Sequence, residues 1–393
     1  MVEAVIIAPV RTAIGKFGGS LTGVSAVELG AAAIRETLNR GQLDAGDVAA
    51  VVMGNVVQAG NRMNPARQAT LHSGLHVTTP AVTVNRVCGS GAEAIASAVN
   101  QVWLGQGKAI VAGGMENMDR APYLLPGARA GLRMGDAQVL DSMLLDGLHD
   151  AFSGQHSGWH TEDVARDWRI SREDQDRWAH RSQTRFSEAQ AAGKFAQEIA
   201  SVEVQSKEGA ICFASDETPR PDTTLEGLAK LRPVFRPGGT ITAGNAPGLN
   251  SGAAAMIVAD RQFADDRGLV PTARVVAHAV SALKPEEFAL APVFAIGLAL
   301  ERAGWSLAEV DRFEINEAYA VVPIAVAKSL GLPEDVVNVE GGAVAHGHPI
   351  GATGAILTTR LLHSMQRDGL KRGVVSLCIG GGQGIAIAAE MIS

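Results

Sequence analysis

Cysteine is scarce in this chain. Only Cys88, Cys212 and Cys378 occur in 393 residues, and they stand far apart. That excludes a disulfide framework and a CxxC metal pattern, and it fits a reducing compartment. A basic surplus is also missing: 34 Lys and Arg stand against 41 Asp and Glu, a formal net charge of −7. The positive field that a nucleic-acid binder needs is therefore not there. No stretch reaches the ~18 uninterrupted apolar residues of a membrane span. The short apolar run from Ala4 to Val10 has neither a basic segment before it nor a cleavage site after it. The expectation is an untargeted, cytoplasmic protein without nucleic-acid or membrane partners. Hydrophobic residues at 46 % against 19 % charged residues exclude disorder as the main state.

What is abundant is glycine, 45 residues with no collagen-like period. It suits tight turns and substrates lying against backbone. The length allows two to three domains at roughly 150 residues each. Val5 to Ala8 reads as a buried strand, and Ser25 to Asn39 follows with helical spacing. Val51 to Met53 is a second strand, Asn64 to Leu75 a helix, and Ala81 to Val87 a third strand. Ala92 to Leu104 is then a small-residue helix and Ala109 to Ala112 a closing strand. This alternation predicts an α/β fold with a mostly parallel sheet covered on both faces.

From about Asp119 to Asn250 the texture changes to charged helices (Thr161 to Trp168, Ser171 to Ala192), a β-like stretch near Ile199 to Val204, and loops. That segment reads as an insertion. Strands resume at Ala255 to Ala259, Ala273 to Val280, Phe313 to Ile315, Val336 to Val339 and Val374 to Leu377. The two α/β portions echo each other. A strand, Cys88-Gly89-Ser90-Gly91, a helix and a strand into Gly113-Gly114 are matched by Val336 to Val339, Gly351-Ala352-Thr353-Gly354, a helix, and Val374 to Gly382. Such a duplication predicts two halves whose helix N-termini and glycine turns share one cleft.

Cys88 stands at a strand-to-helix junction, where backbone N–H groups and the helix dipole favour a thiolate and depress its pKa. That suits a nucleophile; an inert buried thiol is the alternative. Gly89-Ser90-Gly91-Ala92-Glu93-Ala94 also matches a loose GxGxxA dinucleotide fingerprint, yet the acidic residue due about 20 positions on is missing, and Glu116 comes only later. In Ala345-His346-Gly347-His348-Pro349-Ile350-Gly351 one imidazole beside a thiol would make a Cys–His pair, against a histidine satisfied by loop backbone. Alternate residues there point opposite ways, so only one need enter a cleft. No clustered Cys, His or carboxylate residues complete a metal site. Cys378-Ile379-Gly380-Gly381-Gly382-Gln383-Gly384 sets a second thiol beside N–H groups that can face an oxyanion, and a plain hairpin turn explains its glycines equally. Asn316, in Asn316-Glu317-Ala318-Tyr319-Ala320, is a candidate helix cap. Cys212 is expected to pack in a strand without a role.

Together, Val84-Asn85-Arg86-Val87-Cys88-Gly89-Ser90-Gly91, Gly113-Gly114-Met115-Glu116-Asn117-Met118, Asn316-Glu317-Ala318-Tyr319-Ala320, Gly347-His348-Pro349-Ile350-Gly351 and Cys378-Ile379-Gly380-Gly381-Gly382 stand in the order and spacing of thiolases. The chain resembles the short-chain acetyl-CoA acetyltransferases more than the long-chain degradative members, from Arg11-Thr12-Ala13-Ile14-Gly15-Lys16 to the last strand. The resemblance implies an α/β fold of two duplicated halves in a five-layer α-β-α-β-α sandwich with an inserted loop domain. Residues 1–118 and 251–270 would form the N-terminal half, 119–250 the loop domain that binds coenzyme A, and 271–393 the C-terminal half.

For activity, the resemblance implies a reversible ping-pong Claisen exchange: two acetyl-CoA give acetoacetyl-CoA and CoA, or a short 3-ketoacyl-CoA is thiolysed. CoA and acyl-CoA are then substrates, with no tightly bound cofactor and no metal. On the same resemblance Cys88 is the acylated nucleophile, His348 activates it, and Cys378 exchanges the α-proton or the CoA thiol proton. Asn316 holds a water that stabilises the enolate with His348, and the N–H groups of Cys88 and Gly380 form the other oxyanion hole. The chemistry needs a base near a weakly acidic α-carbon and fixed donors for the enolate. Leu148, His156, Arg220, Phe235, Ala243, Leu249 and Ala318 fall where related enzymes touch pantetheine or nucleotide.

Four positions depart from the family pattern. Ser157 replaces the methionine of His-Met-Gly, Phe288 stands where biosynthetic enzymes carry another methionine, and Gly227 and Pro247 replace CoA-contacting serines. Phe288-Ala289-Leu290-Ala291-Pro292 is similar to thiolases that accept a 2-methyl branch and are activated by potassium. The alternatives are thus a 3-ketoacyl-CoA thiolase of broader or 2-methyl-branched specificity, a decarboxylating ketosynthase, which typically lacks the counterpart of Cys378, and a non-catalytic acyl-CoA binding protein. The family suggests a homotetramer, a dimer of dimers, with Gly127 to Asp136 in the place of the tetramerisation loop.

Overall fold

The structure, a computed structural model, describes residues 2–206 and 209–392. Its first strand, β1 (Ala4–Thr12), is buried on both faces, as its apolar run predicts. Helix α1 (Ala26–Gly41) opens on a reciprocal cap: Ser25 Oγ accepts the Glu28 N–H and the Glu28 carboxylate accepts the Ser25 N–H. Strand β2 (Ala50–Gly54), helix α2 (Pro65–His72), strand β3 (Ala81–Val84), helix α3 (Ser90–Trp103) and strand β4 (Ala109–Asn117) complete the first run. The following segment carries α4 (Ser157–Asp167) and α5 (Arg172–Ala191). The chain then returns through β5 (Asn250–Asp260), β6 (Ala273–Ala282), α6 (Ala291–Ala303), β7 (Arg312–Ile315) and α7 (Val321–Leu330). Helix α8 (Thr353–Asp368) leads to the terminal hairpin of β8 (Arg372–Ile379) and β9 (Gln383–Met391).

The main strands run in the order β7-β8-β9-β6-β1-β5-β4-β2-β3. The expectation of a mostly parallel sheet fails. Among these main strands only β7/β8, β2/β3 and β2/β4 are parallel, whereas β5 enters antiparallel between β1 and β4, and β6, β8 and β9 pair antiparallel. The cause is connection length: a short glycine turn between β8 and β9 permits only an antiparallel return, and β5 arrives from the far end of the long excursion after β4. The strand expected at Val336 to Val339 is also absent. Val337 makes a single bridge to Phe313, and the Asn338 amide takes both the N–H and the carbonyl of Ile315, which a further strand would have used. Cys212 lies on a strand but is exposed, while its neighbour Phe213 takes the buried side.

Side-chain alternation sorts the core into layers. Ile6 of β1 and Ile385 and Ile387 of β9 face one interior cluster together with α3 and α8, while Val5 and Ile7 face α1 on the opposite side. Val374, Cys378, Ala386 and Ala388 point the other way, towards α6 and α7. Helix, sheet, helix, sheet, helix is thus the five-layer order. The middle layer is tight where α3 and α8 begin: a Cβ on Gly91 would lie 2.7 Å from the Ala355 nitrogen, and one on Gly354 would overlap Ala92. The glycine turns of the two halves therefore meet, as the internal echo predicts. None of the described helices is long and apolar enough to cross a membrane.

Candidate active site

Cys88 is presented by a strained turn. Beyond β3 the chain reverses through Val87, a β-branched residue at φ +45°, before α3 begins. The Ser90 hydroxyl holds the turn, accepting the Arg86 N–H at 2.8 Å and donating to the Val87 carbonyl at 2.7 Å. The thiol is not depressed, contrary to expectation. Burial pushes it up to about 11, and the N–H groups of Gly380 and of Cys88 itself offset this only in part.

His348 follows a short helix, Ala343–His346, and Gly347 at φ +98°. A Cβ on Gly347 would run into the Asn250 amide, whose Oδ1 accepts the His348 N–H at 2.9 Å. The ring is held at its far side: Nδ1 lies 2.6 Å from Thr353 Oγ1, and that hydroxyl donates its one proton to the Pro349 carbonyl at 2.8 Å. Proton counting then makes Nδ1 the donor and Nε2 the acceptor nitrogen, faced by the Asn316 amide at 3.4 Å. Burial lowers the imidazole to about 4, so it rests neutral. His346, by contrast, is fully buried against Phe186 and lies outside the cavity wall. Only one histidine of the pair enters the cleft, as expected, but the cause is the helix end at His346 and the Gly347 turn at φ +98° rather than strand alternation.

Asn316 is not a helix cap, because α7 starts only at Val321 with Ala320 in the cap position. It directly follows β7 as a fully buried residue. Its Nδ2 faces His348 Nε2 at 3.4 Å, and its Oδ1 has no partner among the described residues. The neighbouring Glu317 carboxylate takes four donors: Trp178 Nε1, Ser182 Oγ, Asn338 Nδ2 and the Val344 N–H. It thereby pins α5 against the segments that lead to Asn316 and His348.

Cys378 is fully buried near the end of β8, opposite Gly384 in the terminal hairpin. Burial and the nearby Cys88 sulfur both push its thiol upward. The hairpin reading of its glycine run holds, since Gly380 and Gly381 form the turn between β8 and β9, and both also line a cavity.

That cavity measures about 600 Å³ and gathers Cys88, Leu148, His156, Phe235, Leu249, Phe288, Ala318, His348 and Gly380. Cys378 and Asn316 are buried just outside its wall. Arg220 and Ala243 are exposed and do not line it; Gln183 Oε1 accepts the Arg220 backbone N–H. Among the described residues no group of three or more His, Cys, Asp or Glu side chains could hold a metal.

Three contributors lay inside quoted motifs without a role. Thr353 orients His348. Tyr319 lines the cavity. Glu116 ties the halves together: its buried carboxylate takes Asn55 Nδ2, the Val56 and Val57 N–H groups and the Gly351 N–H. Burial nonetheless pushes Glu116 up to about 7. A charged residue ending a fully apolar strand was the only local signal for it.

The arrangement sets a thiol, met by the N–H groups of Gly380 and of Cys88 itself, and a neutral imidazole in the wall of one cavity. Residues 4–262 match the thiolase N-terminal domain and residues 269–391 the thiolase C-terminal domain. The chain is 47 % identical over 389 residues to an acetyl-CoA acetyltransferase of Chromobacterium violaceum, covering 99 % of each. It is 47 % identical over 394 residues to the Escherichia coli protein of the same name, covering 100 % of both, and 46 % identical over 392 residues to the beta-ketothiolase BktB of Cupriavidus necator. The crystal structure of the Bacillus anthracis acetyl-CoA acetyltransferase superposes with a TM-score of 0.98 at 40 % identity, covering 100 % of this chain and 99 % of that one. Matched in both halves and along nearly its whole length, the chain belongs to the thiolase family.

Proposed function

We propose that this chain is an acetyl-CoA acetyltransferase, joining two acetyl-CoA into acetoacetyl-CoA and free CoA and running the thiolysis in reverse. The observation that carries the reading is the convergence of Cys88, His348 and Gly380 on one cavity, with Asn316 and Cys378 against its wall. The names of the relatives agree with it.

In the proposed cycle the Cys88 proton moves to His348 Nε2 as the sulfur attacks the thioester carbonyl. The oxyanion is met by the N–H groups of Cys88 and Gly380. The departing CoA sulfur takes the Cys378 proton, leaving a Cys378 thiolate beside an imidazolium. That thiolate removes the α-proton of the second acetyl-CoA, and the enolate oxygen is stabilised by His348 Nε2–H and a water held by Asn316. The enolate carbon attacks the acyl carbon, the Cys88 sulfur leaves, and it recovers its proton from His348. A thiol pushed upward by burial makes a strong base once ionised, which suits a weakly acidic α-carbon.

Segment 119–250 supplies Leu148, His156, Phe235 and Leu249 to the wall, which supports its role as the CoA-binding loop domain, with Arg220 and Ala243 nearer the nucleotide. We place the protein in the cytoplasm as a homotetramer acting on CoA and acyl-CoA without a tightly bound cofactor. The exposed Leu132 and Met134 in the 127–136 loop offer apolar surface for the second dimer contact. The deciding experiment follows thiolysis of acetoacetyl-CoA by CoA as loss of enolate absorbance, with 2-methylacetoacetyl-CoA and a long-chain 3-ketoacyl-CoA beside it. Turnover of the short substrate is expected. Folded protein that turns over none of them and leaves Cys88 unacylated would overturn the reading.

A further inference from the structure

The cavity wall beside the two thiols carries a pair of hydroxyls that the proposed cycle does not use. Ser157 is the first residue of α4 and Tyr319 precedes α7; their Oγ and Oη lie 2.7 Å apart. Both line the cavity shared by Cys88 and His348. Phe235 stacks on His156 and meets Tyr319 edge-on, so the group is held rigidly.

The pair has two hydroxyl protons, and the bond between them uses one. Among the described residues the acceptor within reach of the other is His156 Nδ1, at a long 3.4 Å from Tyr319 Oη, and its single ring lone pair already takes the Gly158 N–H at 3.1 Å. One O–H donor is therefore left to the cavity. An acyl chain that brings an oxygen to it gains a hydrogen bond, and an all-carbon chain leaves it unpaired. The wall also discriminates by charge. Among its described residues none is Lys or Arg, Asp146 and Asp150 are present, and burial keeps His156 neutral. A terminal carboxylate is disfavoured there.

We propose that Ser157 and Tyr319 form a specificity-determining pair that selects acyl-CoA substrates bearing a hydroxyl on the acyl chain over all-carbon chains of the same length. This rests on the thioester-transfer reading above. The test measures the second-order rate of Cys88 acylation, by intact mass and CoA release, with acetyl-CoA as the control. Two matched pairs are compared, 3-hydroxybutyryl- with butyryl-CoA and 5-hydroxypentanoyl- with pentanoyl-CoA, and glutaryl-CoA serves as the carboxylate. In at least one pair the hydroxyacyl thioester should react ~10-fold faster, the scale of one hydrogen bond. Glutaryl-CoA should be slower than pentanoyl-CoA. The ratio should fall to about 1 in Ser157→Ala/Tyr319→Phe and to intermediate values in each single variant, which also serve if the double variant does not fold. Ratios at or below 1 in the wild type, or ratios unmoved by the substitutions, would overturn the proposal while leaving acetyl transfer intact. Failure of acetyl-CoA itself to acylate Cys88 would instead sink the underlying reading, and this inference with it.

Discussion

Thr353 Oγ1 receives the His348 Nδ1–H at 2.6 Å while giving its own proton to the Pro349 carbonyl, so one hydroxyl decides which imidazole nitrogen is basic. Replacing it by the near-isosteric Thr353→Val removes the acceptor and lets either tautomer form. We expect kcat to fall about 10-fold, the worth of one buried hydrogen bond, with KM little changed. Thr353→Ser should restore most of the loss. A Val variant with full kcat would show that the tautomer is set elsewhere.

The resting pair is a thiol and a neutral imidazole, because Cys88 is pushed up to about 11 and His348 down to about 4. Far below the thiol pKa, the thiolate fraction rises roughly tenfold per pH unit. Alkylation of Cys88 by iodoacetamide should therefore accelerate steadily from pH 6 to 9 without levelling off. A plateau with a midpoint below pH 7 would reveal a preformed thiolate–imidazolium pair. Cys88→Ser should abolish acylation by acetyl-CoA.

In the proposed cycle Cys378 acts only through protons: it assists a CoA sulfur that can also leave as a thiolate, but it is required to take the α-proton, so its loss should separate the two half-reactions. Cys378→Ser should still acylate Cys88 in a single turnover, while steady-state condensation drops by at least ~100-fold, the usual scale for removing an acid/base group. Equal losses in both steps would assign it a structural part.

Glu116 predicts a pH effect on stability. Burial raises it to about 7 in the folded chain, above its ordinary 4.5, so between those values the folded state holds more protons than the unfolded one. Stability should therefore fall as pH rises from about 5 to 8, by roughly 1–3 kcal/mol at most. Glu116→Gln should flatten that slope. Either orientation of the amide turns its NH₂ towards two donors, Val56 and Gly351 N–H or Asn55 Nδ2 and Val57 N–H, so the variant should also lose about 1–3 kcal/mol. Urea melts of both proteins at pH 5 and 8 check this.

Much of the architecture was legible locally. The helical spacing from Ser25 to Asn39 marks α1, apolar runs mark β1 and β5, and the echoed glycine turns around Gly91 and Gly354 foretell that two helix starts share one place. Strand direction was not legible, because a buried parallel strand and a buried antiparallel one share the same apolar pattern. The supposed strand at Val336 to Val339 failed for a related reason: its β-branched residues fit a strand, but the Asn338 amide captures the groups a ladder would need.

In the site, residue types and their turns were determined by the sequence itself: a cysteine before Gly-Ser-Gly, a histidine between glycine and proline, a cysteine before three glycines. These features are local, since backbone reversal and helix initiation depend on a few consecutive residues. Only the tertiary structure decided burial, protonation and long-range partners. Cys88 is raised rather than lowered because desolvation by the surrounding wall outweighs its neighbouring N–H groups. Ser157 and Tyr319 meet across 162 residues, and Glu116 reaches Gly351 across 235. Such contacts depend on how layers pack, and no spacing along the chain encodes the burial or the hydrogen-bond partners that packing brings.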